Sequence, residues 1–294
     1  MHHPAGAEGL STVTLAAAQF ACGPDRAANI AKGKTLARAA AKKGANMVLL
    51  HELFATKYFC QEQSAEYFAW ARPFENNPLL NEMSALAKEL GVVMPVSFFE
   101  KAANAHYNSL AMIDADGKIL GRYRKSHIPD GPGYQEKFYF NPGDSGFKVW
   151  QTRYGTFGAA ICWDQWFPEA ARIMALKGAD ALFYPTTIGS EPPPAPPVES
   201  RDHWRRTMQG HAAANYIPLV AANRIGVEKD MTFYGSSFIA GPTGEIVAEL
   251  AREEGFITAA FDFDAIRKAR ASWGLFRDRR PDLYRPILTS DGSD

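Results

Sequence analysis

Short apolar, β-branched runs alternate with longer runs of helical spacing along almost the whole chain, and this alternation restricts it to an α/β fold. Residues 12–20 predict a strand. Residues 25–43, rich in Ala and Lys, predict a helix that Gly44 stops. The order continues with strand 47–50, helix 79–90, strand 92–99, strand 156–161, helix 168–177, strand 181–184, helix 204–215 and strand 219–223, then a last strand at 256–263. Two hairpins interrupt it. Residues 109–113 and 119–124 flank Asp114-Ala115-Asp116-Gly117, and residues 237–240 and 246–250 flank Gly241-Pro242-Thr243-Gly244.

No composition break divides the chain. The proline run at 192–197 excludes helix and inner strand, but it is short and lies between elements of one pattern. A single domain over residues 11–294 is expected, behind a flexible leader at 1–10. Each half carries one hairpin, which points to two sheets with helices outside. The tail at 273–287 is too aromatic and Arg-rich for a free end, and is expected to pack on the body or on a partner subunit.

A chain of 294 residues with 46% hydrophobic content can bury a large core without a metal or disulfide staple. Formal net charge is zero, which gives no pull toward nucleic acid or anionic membrane. No apolar run is long enough to span a bilayer, and the first ten residues lack the apolar stretch of a signal peptide. The three cysteines, Cys22, Cys60 and Cys162, are too few and too odd in number for a disulfide framework, which suits a reducing cytosol. No C-x-x-C pair, P-loop or G-x-G-x-x-G is present, so no metal or cofactor is implied.

Cys162 stands at a strand-to-helix turn, where backbone N–H groups and a helix start would favour a thiolate. Glu52 follows the strand 47–50 and would reach the same sheet edge if the strands are parallel. Lys125 ends the strand 119–124. Taken singly, each reads as well as an inert core thiol, a loop glutamate or a surface lysine. Together they supply a nucleophile, a base to take its proton and a cation for the developing oxyanion.

His51-Glu52-Leu53-Phe54, Tyr123-Arg124-Lys125-Ser126-His127 and Cys162-Trp163-Asp164-Gln165-Trp166-Phe167-Pro168-Glu169, in that order, resemble the nitrilase (carbon–nitrogen hydrolase) superfamily. The resemblance runs from Thr12 to about Ile287. It implies a four-layer α-β-β-α sandwich, a Glu52-Lys125-Cys162 triad and assembly into dimers or larger homo-oligomers. It also implies a second pocket glutamate at Glu136, and an oxyanion held by Lys125 and the backbone N–H of Trp163.

Within the superfamily the chain is similar to the N-carbamoylputrescine amidohydrolases, through Phe59-Cys60-Gln61, Pro129 to Glu136, Cys162 to Trp166 and Ser200 to Trp204. That similarity implies release of putrescine, carbon dioxide and ammonia from a carbamoyl amine. Superfamily enzymes acting on N-carbamoyl-D-amino acids carry an Arg pair three and four residues past the cysteine. Gln165 and Trp166 stand there in this chain, so that carboxylate clamp is missing. A distal ammonium calls for a carboxylate or an aromatic face, and Glu191 and Tyr58 are the candidates. Cys22, Cys60, His203 and His211 read as structural. Another amide hydrolase (a β-ureidopropionase or an omega-amidase), a true nitrilase and a non-catalytic relative remain alternatives.

Overall fold

The computed structural model describes residues 12–190 and 200–293. The leader at 1–10 and the proline run with Glu191 lie outside the described residues.

Two sheets form the centre. One runs in the order Gly255–Phe261, Val13–Gln19, Met47–Leu49 and then, through the pairing of Met47 with Val93, Met94–Ala102, Ala105–Ile113 and Ile119–Arg124. The other runs Ile246–Glu249, Phe238–Ala240, Leu219–Ala222, Ala181–Pro185, Gly155–Ala159 and Val149–Thr152. The inner strands of each sheet pair in parallel and the outer ones antiparallel.

Strand alternation sorts the side chains into layers. Leu15 and Ala17 share a core with Leu49 and Tyr123 of their own sheet and with Phe183, Val220 and Ile239 of the other. Their neighbours Ala16 and Ala18 join Val48 and Leu50 on the opposite face. There they meet Ile30, Ala37 and Ala40 of helix Arg26–Lys42 and Leu80 and Met83 of helix Pro78–Leu90. The second sheet is covered by Met174 of helix Pro168–Leu176 and by Trp204 and Met208 of helix Ser200–Asn215. The result is a four-layer α-β-β-α sandwich. Each large apolar side chain removed from water contributes roughly 1.5–3 kcal/mol, and the shared core locks one sheet to the other.

Local signals set the helix ends. Asp25 accepts from the N–H groups of Ala27 and Ala28 at the start of the first helix. Helix Pro78–Leu90 is capped by the Asn77 side chain, opens on a proline and stops at Gly91 with φ 63°.

The structure departs from the sequence reading in four places. The first hairpin is part of a three-strand meander, because Ala105–Ile113 also pairs with Met94–Ala102. Val149–Thr152 is a further edge strand, only four residues long. Ile225–Glu228 and Met231–Tyr234 form a third hairpin, which together with Gly189–Ser190 makes a small sheet. Finally, helix Phe263–Trp273 precedes the tail; the signal for it was Asp262, whose side chain accepts from Ala265 N.

Candidate active site

Glu52 and Cys162 come to the site from different sheets, not from one parallel edge. Glu52 follows Met47–Leu49 of the first sheet, and Cys162 follows Gly155–Ala159 of the second. Thr187 links them: its hydroxyl donates to the Glu52 carbonyl at 3.2 Å, and its own carbonyl lies 3.7 Å from Cys162 Sγ. Lys125 enters from the end of Ile119–Arg124, its backbone N–H bonded to Asn108 O at 2.8 Å.

Lys125 is fully buried between two fully buried carboxylates. Its Nζ donates to Glu52 Oε1 at 2.9 Å and to Glu136 Oε2 at 2.6 Å. Burial opposes its charge, but the Glu136 and Glu52 carboxylates outweigh that and carry its pKa well above the usual lysine value. Glu136 is pushed upward by burial, against the pull of Lys125. Its other oxygen accepts from Tyr58 Oη at 2.7 Å. Packing behind Lys125 is tight. A side chain at Gly143 would collide with the carbonyls of Arg124 and Lys125, so only glycine fits there.

Glu52 Oε1 also accepts from Asn108 Nδ2 at 2.6 Å. Both donors fall on the same oxygen, and Glu52 Oε2 is buried with no hydrogen-bond partner. One oxygen of the carboxylate is fixed and the other is free to take a proton.

Cys162 sits in the left-handed region, at φ 43°, a conformation that costs a non-glycine residue about 1–2 kcal/mol. Asp164 holds this turn. It accepts from Ile161 N at 2.9 Å and from Tyr123 Oη at 2.7 Å, and from both His127 N at 3.0 Å and His127 Nδ1 at 2.8 Å. One buried carboxylate therefore ties the cysteine turn to residues on both sides of Lys125.

The helix after Cys162 begins only at Pro168, beyond a 3₁₀ turn. Its start does not support a thiolate, contrary to the sequence expectation. Burial pushes the Cys162 thiol well above its usual range, the Glu52 carboxylate adds to this, and Lys125 opposes it. The resting group is a thiol, which needs a base to become a nucleophile.

A cavity of about 340 Å³ opens onto Cys162 and is lined by Trp163, Trp166, Tyr134, Ile188 and His203 among others. Trp163 faces it and is 38% exposed. Tyr58 occupies a different place from the one the sequence suggested. It is buried, its hydroxyl is committed to Glu136, and its ring packs edge-on against Tyr134 and Phe233. It stands behind a carboxylate and not at the far end of the cavity. Gln165 is fully buried, its Oε1 accepting from Thr186. His211 packs against the Gln165 carbonyl at 2.8 Å, whereas His203 lies on the cavity wall against Trp166. Cys60 is buried near Glu136, and Cys22 contacts His51 and the Phe54 carbonyl.

The sequence reading missed Asn108, Asp164 and Thr187. Asp164 lay inside a quoted motif. Asn108, on a strand otherwise rich in apolar residues, was a polar residue without an evident surface role.

Comparison with known proteins finds relatives over nearly the whole chain. The family model for carbon-nitrogen hydrolases matches residues 14–271. The N-carbamoylputrescine amidase of Solanum tuberosum is 62% identical over 96% of this chain and 97% of its own length. The citrullinase of Francisella tularensis is 51% identical over 95% and 99%. A solved carbon-nitrogen hydrolase from Helicobacter pylori G27 superposes with a TM-score of 0.89 at 40% identity, covering 95% of this chain and 99% of that one. The chain belongs to the carbon-nitrogen hydrolase family.

Proposed function

We propose that the chain is a cysteine-dependent amidohydrolase that converts N-carbamoylputrescine to putrescine, carbon dioxide and ammonia. The observation that carries the reaction is the single free oxygen of Glu52. With Oε1 held by Lys125 and Asn108, Oε2 is left to take the Cys162 proton.

The thiolate then attacks the carbamoyl carbon. Lys125 and the Trp163 N–H receive the charge that develops on oxygen. The bond to the putrescine nitrogen breaks, the amine leaves with the proton returned by Glu52, and an S-carbamoyl enzyme remains. Water, deprotonated by Glu52, attacks this thiocarbamate, the S–C bond breaks, Glu52 returns the proton to the sulfur, and carbamic acid is released and decomposes to carbon dioxide and ammonia. Glu136, bonded to Lys125 and Tyr58, keeps the ammonium aimed at the reacting centre.

Two facts support a carbamoyl diamine as substrate. One is the full-length similarity to the potato amidase. The other is that no arginine stands among the described residues lining the cavity, where Trp163 and Trp166 offer aromatic faces to a cation. Glu191, outside the described residues, is proposed as the carboxylate for the distal ammonium.

The test is ammonia and amine release from N-carbamoylputrescine, beside citrulline, N-carbamoyl-β-alanine and a simple nitrile. Turnover of the first alone is the expected result. Preference for citrulline or N-carbamoyl-β-alanine would retain the triad and overturn the diamine pocket.

A cytosolic homo-oligomer is also proposed. Among the described residues no helix is long and apolar enough to cross a membrane. Trp273, Leu283, Ile287 and Leu288 expose apolar surface along the tail, which suits an interface between copies. A chain ending at Ala271 is expected to form a smaller assembly by light scattering; an unchanged mass would remove the tail from the interface.

A further inference from the structure

We infer that Arg224 and Glu228 form a positioning device that holds the Glu52 carboxylate in its reactive orientation from the opposite sheet. The inference rests on the general-base role of Glu52 proposed above. Arg224 follows Leu219–Ala222 of the second sheet, and Glu228 ends the strand Ile225–Glu228. Neither belongs to the motifs that carry the triad.

The Arg224 guanidinium is fully buried, and it spans the turn after Glu52. Nη2 donates to the carbonyls of Glu52 at 3.3 Å and Leu53 at 3.2 Å. Nη1 donates to the Thr56 carbonyl at 3.1 Å and to Glu228 Oε1 at 2.7 Å. The second oxygen of Glu228 accepts from Tyr58 N at 2.6 Å. One ion pair thus grips the 52–58 segment at both ends. Glu52 is at one end, and at the other is Tyr58, whose hydroxyl reaches Glu136.

The gripped segment would not hold this shape unaided. Leu53 has φ 48°, in the left-handed region, and its N–H is held by Ser97 Oγ at 3.0 Å. Three carbonyls converge on one cation, a geometry suited to the planar fork of Arg and poorly matched by a lysine ammonium.

A buried ion pair is a weak way to gain stability, since desolvation cancels most of its attraction. Arg224 also leaves its buried Nε without a partner. Such an arrangement makes more sense as a means of fixing geometry. Its charge acts on the site as well, because the Glu52 carboxylate is among the groups that hold the Arg224 pKa above its usual value despite burial.

The test compares Arg224→Met, Arg224→Lys and Glu228→Gln with wild type and with Glu52→Gln, scoring folded protein by circular dichroism and thermal midpoint. Arg224→Met is expected to lower kcat by about 10- to 100-fold with KM changed less than about threefold, the pattern of a group that acts in the transition state. Arg224→Lys restores part of that loss. A loss of folded fraction alone would leave kcat per folded molecule unchanged. If Arg224→Met does not fold, Arg224→Lys and Glu228→Gln carry the same readouts with smaller effects. Wild-type kcat per folded molecule in the variants, with Glu52→Gln inactive, would overturn the inference and leave the general base intact. An active Glu52→Gln would instead remove the general base and the inference with it.

Discussion

Glu52→Gln is expected to lower kcat by about 10³- to 10⁴-fold, at the upper end of the range for loss of a positioned general base, with KM nearly unchanged. The amide keeps the side chain's volume and an oxygen for Asn108 Nδ2 and Lys125 Nζ, so the buried cluster still closes. What disappears is the basicity of the second oxygen. The cysteine does not compensate, because burial and the Glu52 carboxylate push the Cys162 thiol above its usual range. Steady-state kinetics on folded protein measures the effect. A kcat within tenfold of wild type would mean that some other group takes the thiol proton.

Lys125→Met is expected to abolish turnover and also to destabilise the fold by about 3–5 kcal/mol, the cost of leaving buried charge without its partner. Lys125 is the shared cation of Glu52 and Glu136, all three fully buried. Without it, the burial that already pushes Glu136 upward loses the opposing pull of the ammonium, and the folded-state pKa of Glu136 rises further. A raised folded pKa gives stability that is present below the unfolded value, about 4.3 for Glu, and lost as pH rises through the folded value. The variant should therefore lie nearer to wild type at pH 5 than at pH 8. Urea denaturation at both pH values measures this. Adding Glu136→Gln to Lys125→Met is expected to recover part of the deficit, since one uncompensated charge is removed. Equal stability of Lys125→Met and wild type at pH 8 would show that the carboxylates are not paired through this ammonium.

These two effects have different origins in the sequence. Glu52, Lys125 and Cys162 were picked out as candidates because each stands in a short motif at the end of a strand, and the resemblance to the superfamily, which also pointed to Glu136, joined them into one proposed site. Tyr58 was found as a site neighbour but assigned to the wrong end of the site, because nothing in its local sequence says that its hydroxyl points to Glu136.

The sequence by itself determined most of the element types and offered the candidate reactive groups. Strand alternation, helical spacing, Asp25 and Asn77 as caps and Gly91 as a stop act over a few residues, so they can be read locally. Only the tertiary structure decided how those groups meet. Two sheets packing face to face put Glu52 opposite Cys162, with Thr187 between them. The same packing buries Lys125 between two carboxylates and brings Arg224 from the far sheet onto the Glu52 turn. Burial also pushes the Cys162 thiol above its usual range and leaves Glu52 Oε2 without a hydrogen-bond partner. The physical reason is range. Propensity and capping depend on sequence neighbours, whereas desolvation and charge pairing depend on which distant segments exclude water together.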